Sequence, residues 1–267
     1  MKKTILLLVA LSLIGFNSCK KSNPEAPGNI EGMGNTAGEL QIKQAFIIPE
    51  GINLIGDITG IGNSSAKNGE LKSVIEADSK SGVPQFGSGL VVRLKLTLLN
   101  SRNNRRTVFF PKGLIWKCLD NAYQHGLQCQ TTWVCLDPNE MRTIFVDLYC
   151  VNLGTPAPDQ DGKYKILGVT SSSVLWNLLN KIGWRKINFE MIYPNLSGKG
   201  EIGPTYEEIT DRLQTIVHNL TDRGIELSSE DKTFIESIPE LALEEIPVVD
   251  ENSQYPEYFE EFNLPEK

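Results

Sequence analysis

Five cysteines and two histidines carry most of the nucleophilic and soft-ligand chemistry this 267-residue sequence can offer. Cys118, His125, Cys129 and Cys135 put three sulfurs and an imidazole in one short stretch. Thiolate and imidazole donors build zinc cages, but the close C-x2-C steps of a structural site are missing, so no metal is expected. His125 follows a Tyr-Gln pair in a loop-like composition and reads as solvated. No serine stands in a G-x-S-x-G elbow, and there is no G-x-x-x-x-G-K-[ST] phosphate loop. Glu207 and Glu208 fall on the outer side of a helix, where paired acids serve solvation rather than glycoside cleavage. Trp116, Trp133, Trp176 and Trp184 read as core rather than as a carbohydrate platform. The chemistry-bearing residues therefore predict neither an enzyme nor a cofactor.

The fifth cysteine sits elsewhere. Lys2 and Lys3 precede an apolar run of twelve residues, Ile5 to Phe16, and then Asn17-Ser18-Cys19. A charged start, a short apolar core and a polar end make a cleaved export signal; spanning a bilayer takes about 20 apolar residues. The segment ending in Ser18-Cys19 resembles the lipobox of bacterial lipoproteins of the Bacteroidetes type. The resemblance implies that residues 1–18 are removed and that Cys19 is acylated. Stable attachment then follows from having more than one acyl chain. Lys20 after the cysteine implies, on the same resemblance, the outer membrane. Taking Lys2 and Lys3 from 26 basic residues, against 33 acids, leaves the mature chain at −9. That balance excludes a nucleic-acid partner, which needs a basic stripe. The expected partners are the membrane, through Cys19, and a protein or glycan ligand.

With Cys19 spent on lipid, Cys118, Cys129, Cys135 and Cys150 remain. An even number in an exported chain suggests disulfides, with three pairings open. Cys129 and Cys135 lie on one extended segment, roughly 20 Å apart at about 3.3 Å per residue, and cannot bridge each other. Cys118 and Cys129 flank a polar connection and could pair across it.

These residues need elements to position them. Residues 19–40 are rich in Gly, Pro, Asn and Glu and read as a flexible tether. From Gln41 the signals are strands: Gln41–Pro49, the alternating Leu90–Asn100, Thr107–Phe110, Leu114–Cys118, Gln130–Leu136 and Arg142–Val151. Exposed loops are expected at 60–70 and 79–89. Turn signals punctuate the strands, which predicts an antiparallel, immunoglobulin-like β-sandwich over 41–153. A helical region over 154–239 follows, so the class expected is α+β. Its first helix ends at Ile182, with Ser171 to Ser173 as caps and Gly183 as the stop. Thr205 and Glu208 form a capping box for a second helix, with Ile209, Leu213, Ile216, Val217 and Leu220 on its apolar face. A third helix starts at Ser228 or Ser229 and stops before Pro239. Residues 240–267 hold nine acids against one lysine and read as an acidic, mobile tail.

Tyr149-Cys150-Val151 closes the last strand of the first half, and Leu213-Gln214-Thr215-Ile216-Val217-His218 lies about sixty residues on. This pair of elements resembles the thioester-type domains of bacterial surface proteins. The resemblance covers roughly residues 105–239. It implies that the Cys150 thiol displaces ammonia from the Gln214 side chain, leaving an internal thioester that an amine on a partner surface can open. His218 stands where the glutamine element usually carries an aromatic. Gln214 itself falls roughly a third of a turn from the centre of its helix's apolar stripe. Cys150 is thus open to two uses, a disulfide or a thioester.

Overall fold

Alternation between apolar and polar side chains builds the longest strands. In Val92–Asn100 (β5), Leu94, Leu96 and Leu98 are buried, and Lys95 between them is exposed. Met141–Cys150 (β10) runs antiparallel to it, with Leu96 opposite Ile144 and Leu94 opposite Val146. β10 next pairs Gly126–Leu127 (β8), and β8 pairs Leu114–Cys118 (β7). β7 pairs Lys163–Thr170 (β11), β11 pairs Ile58–Gly60 (β3), and β3 returns to β5. Six antiparallel strands therefore close on themselves, and closure leaves the ring without a free edge. The computed structural model describes residues 25–62, 82–89, 91–193, 205–242 and 245. The export signal, Cys19, most of the loop expected at 60–70 and nearly all of the acidic tail lie outside the described residues, whereas most of the 79–89 stretch is described and carries a short strand, Gln85–Gly87, in place of the exposed loop expected there.

The expected α+β, immunoglobulin-like sandwich is thus corrected to a mostly β molecule around a closed barrel, with small helices. A sandwich keeps two sheets apart, whereas β5 pairs with both β3 and β10 and joins what would have been separate layers. β11 also falls inside the region read as helical, where it supplies the strand between β7 and β3. Shorter strands decorate the ring. Ile42–Ala45 (β1) lies on β11, Ile52–Leu54 (β2) on β5, and Gln85–Gly87 (β4) runs parallel to β10. Arg106–Phe110 (β6) and Thr132–Leu136 (β9) form a separate pair.

Two apolar clusters follow from the two sides of the barrel wall. One gathers Leu94, Leu96, Trp116, Cys118, Ile144, Val146, Leu148 and Cys150. The other gathers Ile115, Leu127, Cys129, Tyr149 and Val151, the alternate residues of the same strands, under the helices. Ser173–Ile182 (α1) is capped by Ser172 and stopped by Gly183, as its sequence predicts. Phe189–Ile192 (α2) is a single short turn. Tyr206–His218 (α3) begins at the Thr205–Glu208 capping box and runs into a π-helical turn, Asn219–Arg223. Ser229–Ser237 (α4) begins at a second box, Ser228–Asp231. Ile209, Leu213, Ile216, Val217 and Leu220 are all buried against the barrel wall.

Residues 25–40 pack onto the body. Ile30, Met33 and Leu40 are buried in the helix-side core. Gly28 N–H donates to the Leu220 carbonyl at 2.7 Å, and Gly34 N–H donates to the Val151 carbonyl at 2.8 Å. This strap therefore ties the end of β10 to the π turn after α3. Its glycines serve geometry: Gly34 has φ of 57°, and a Cβ there would stand 2.2 Å from the Thr221 carbonyl oxygen. Composition alone reads such a segment as a tether, because glycines needed for left-handed turns look the same as glycines that merely loosen a chain.

Candidate functional site

The site forms where the last strand of the ring meets the second capped helix. Cys150 is the final residue of β10 and Gln214 lies in the middle of α3. The Cys150 N–H donates to Gln214 Oε1 at 2.9 Å, and Gln214 Nε2 donates to the Cys150 carbonyl at 3.0 Å. The side-chain amide thus pairs with the Cys150 peptide as a neighbouring strand would. Gln214 is 9% exposed, so its position on the flank of the apolar stripe is a buried seam rather than a solvated face.

One turn along α3, His218 sits on the same side of the helix, as i and i+4 residues do. Its Nε2 lies 3.0 Å from Gln214 Nε2. An amide nitrogen has no lone pair to accept with, so His218 Nε2 is the acceptor and its proton resides on Nδ1. His218 is 7% exposed. Burial pushes its pKa down, Asp222 pulls it up and Arg223 pushes it further down, which agrees with a neutral ring.

The Cys150 thiol is held on its other side by Asn152, whose backbone N–H donates to Sγ at 3.3 Å. Burial pushes this thiol up to about 12, against the pull of that hydrogen bond. The Asn152 side chain fixes the chain beyond the cysteine: Oδ1 accepts from the His125 N–H at 2.8 Å, and Nδ2 donates to Thr155 Oγ1 at 3.0 Å. Asp222 accepts from the Leu153 N–H at 2.9 Å and so joins the strand exit to the π turn. Single π turns recur at functional sites.

In chemical terms, the Gln214 carbonyl is polarised by an N–H, as in one half of an oxyanion hole. Its nitrogen faces an imidazole, and a thiol hangs from the residue the amide is clamped to. Sequence reasoning paired Cys150 with Gln214. It missed His218 as a member of the site, since it read that residue only as a replaced aromatic. It missed Asn152 altogether, though a residue two beyond a candidate nucleophile is well placed to reach it.

The remaining candidates lie apart. Cys118, Cys129, Cys135 and Cys150 are all free thiols, which corrects the expectation of disulfides. The parity argument fails because a buried cysteine needs no bridge; it packs as a small apolar residue. Cys118 belongs to one apolar cluster and Cys129 to the other, with the barrel wall between them. Cys118 Sγ donates to Asp120 Oδ1 at 3.0 Å, and burial holds that thiol up, with the Asp120 hydrogen bond adding to it. His125 is buried, not solvated: its Nδ1 accepts from the Cys118 N–H at 3.2 Å, and burial lowers its pKa to about 4. Among the described residues no group of three or more His, Cys, Asp or Glu could hold a metal ion. Trp116 is fully buried. Glu208 serves the Thr205 capping box.

A second polar cluster lies on the outside of the barrel wall. Arg93 Nε donates to Asp147 Oδ1 at 2.7 Å across paired strands, both residues under 5% exposed. Gln85 also donates to Asp147. Glu190 in α2 accepts from the Gly87 N–H at 2.8 Å and from Asn188 Nδ2 at 3.1 Å.

Barrel, flanking helices and the Gln214 clamp together define the class of the molecule: a closed β-barrel module in which a buried helix amide holds the Cys150 peptide at the end of a barrel strand. No family model matches the chain, and no curated protein or solved structure matches it either.

Proposed function

We propose that the protein is a lipoprotein of the outer membrane, anchored through Cys19, whose barrel is a non-enzymatic binding module that attaches covalently to its ligand through Cys150 and Gln214. The observation that carries this reading is the double hydrogen bond between the Gln214 amide and the Cys150 peptide, across 64 residues of sequence. The thiol adds to the amide carbon, the carbon–sulfur bond forms, the carbon–nitrogen bond breaks, and ammonia leaves with the thiol proton. The resulting thioester takes a primary amine on a protein or glycan partner. Burial of the pair and the strap of residues 25–40 over the same seam support it, because a thioester persists only where water is kept away. The chain's acid excess supports a partner surface that offers amines. A glycan-binding reading gains nothing from Trp116, which is buried, or from the other tryptophans, which are half-buried.

The test is the intact mass of purified mature protein. The expected result is a deficit of one ammonia that vanishes in Cys150→Ala and is replaced by one added methylamine after incubation with that amine. The full encoded mass, with four titratable thiols after denaturation, overturns the covalent reading. Acylation of Cys19 is read in the same spectrum from the lipid mass on the N-terminal peptide.

A further inference from the structure

We infer that His218 is the proton carrier of the Cys150–Gln214 site, passing protons between sulfur and the amide nitrogen as the acyl bond is exchanged. The inference rests on the thioester reading above. It follows from a polar contact on the Gln214 amide that the reading itself does not use, His218 Nε2 at 3.0 Å from Gln214 Nε2.

The two exchanges share one requirement. In the forward reaction the Gln214 nitrogen leaves with two hydrogens of its own and must gain a third to depart as ammonia. That proton comes from the Cys150 thiol. In the opening reaction a primary amine adds to the acyl carbon, a carbon–nitrogen bond forms, the carbon–sulfur bond breaks, and the amine proton ends on sulfur. No outside acid, base or oxidant is consumed in either direction. The incoming nitrogen occupies the position the Gln214 nitrogen left, so both reactions move a proton at the same place. His218 Nε2 is the titratable atom at that place, and its lone pair already points at the nitrogen. Neither water nor a carboxylate is needed for the step.

The surroundings suit a carrier. A neutral ring can accept a proton, and burial keeps it neutral in the resting state. Asp222 and Arg223, one turn further on, act on the ring in opposite senses. The Cys150 side chain packs with the barrel-side cluster, and burial holds it as a thiol. Gln214 fixes the ring by a hydrogen bond that a phenyl group could not replace, which distinguishes His218 from an aromatic that only fills space.

The experiment compares wild type, His218→Gln and His218→Phe, each as the full mature chain with its thermal midpoint recorded. Methylamine is the probe, and mass spectrometry follows both the ammonia deficit and the uptake of methylamine. Glutamine can still accept from the Gln214 nitrogen but cannot carry a proton at neutral pH; phenylalanine can do neither. Expected is a wild type that carries the deficit and opens with a solvent deuterium isotope effect. Folded His218→Gln should open about a hundredfold more slowly or more, the scale of a positioned acid–base group, without that isotope effect. A folded His218→Gln that never acquires the deficit supports the inference equally. Wild-type rates in both variants overturn it while leaving the thioester reading intact. A fast His218→Gln beside a slow His218→Phe also overturns it, because the hydrogen bond alone would then suffice. A wild type with no deficit and no methylamine uptake overturns both.

Discussion

Gln214 holds the Cys150 peptide at both its N–H and its carbonyl, so that a helix side chain completes the hydrogen bonding of a strand end. This has a structural consequence independent of any bond to sulfur. Gln214→Leu keeps most of the volume but leaves a buried donor and acceptor on Cys150 unsatisfied. Such groups cost about 1–3 kcal/mol. Chemical denaturation of the variant should show a loss of that size, and Gln214→Glu should lose stability too, since a carboxylate cannot donate to the Cys150 carbonyl. A neutral effect in both would mean that the amide bridges are not formed in solution.

The strap makes a second prediction. Gly34 reaches the Val151 carbonyl while passing close to Thr221, in a conformation that L side chains rarely adopt. Gly34→Val meets the Thr221 carbonyl and strains the backbone as well. The strap should lift there while the barrel stays folded. The readout is maleimide labelling of Cys129, which packs in the same helix-side cluster as the strap, in an otherwise cysteine-free background. Labelling should be slow in the parent and faster by an order of magnitude or more in Gly34→Val. Met33→Ala, which removes a buried anchor, should act in the same direction and cost about 2–5 kcal/mol.

Local signals account for what the sequence made legible. The capping box at Thr205–Glu208, the helix start at Ser228 or Ser229, the stop at Gly183 and the alternation of β5 each act within a few residues, and the structure contains all of them. Barrel closure is a different matter. It depends on β3, three residues long, and β8, two residues long, neither of which carries a periodicity to detect. Pairing of β5 with both β3 and β10 is a long-range choice that turn signals do not encode. At the site, the family resemblance paired Cys150 with Gln214, but burial was misjudged: His125 read as solvated and Gln214 as a flank residue because polarity was weighed without the elements that cover them. The cysteine count misled for the same reason, since four buried thiols look like two bridges until the apolar clusters around them are seen.

The Arg93–Asp147 pair supports a third prediction. Both groups are buried, and β10 and β5 place them opposite each other. Asp147→Ala removes a buried charge partner of the Arg93 guanidinium, a change that typically costs about 3–5 kcal/mol. Replacing both with a well-packed apolar pair, Arg93→Met with Asp147→Leu, should recover most of that loss. A double-mutant cycle on thermal or denaturant unfolding checks both statements, and a single variant as stable as wild type would show the pair to be solvated.

Glu190 supplies the pH dependence. Burial raises its carboxyl from 4.5 to about 7, although the Gly87 and Asn188 donors favour the ionised form. The folded state therefore holds a proton that the unfolded chain has already released. Stability attributable to this group is fully present below pH 4.5 and is lost as pH rises through about 7. Other carboxylates act with the opposite sign: Glu208, held low by its capping hydrogen bonds, gains stability as pH rises through its acidic range. The Glu190 contribution is isolated by Glu190→Gln, which keeps the acceptor for Gly87 and cannot ionise. Wild type should approach the stability of Glu190→Gln at acidic pH and fall progressively below it as pH is raised toward 8. Parallel curves over that range would show that Glu190 titrates in the folded protein as it does in the unfolded chain, and that β4 is not held by a buried carboxyl.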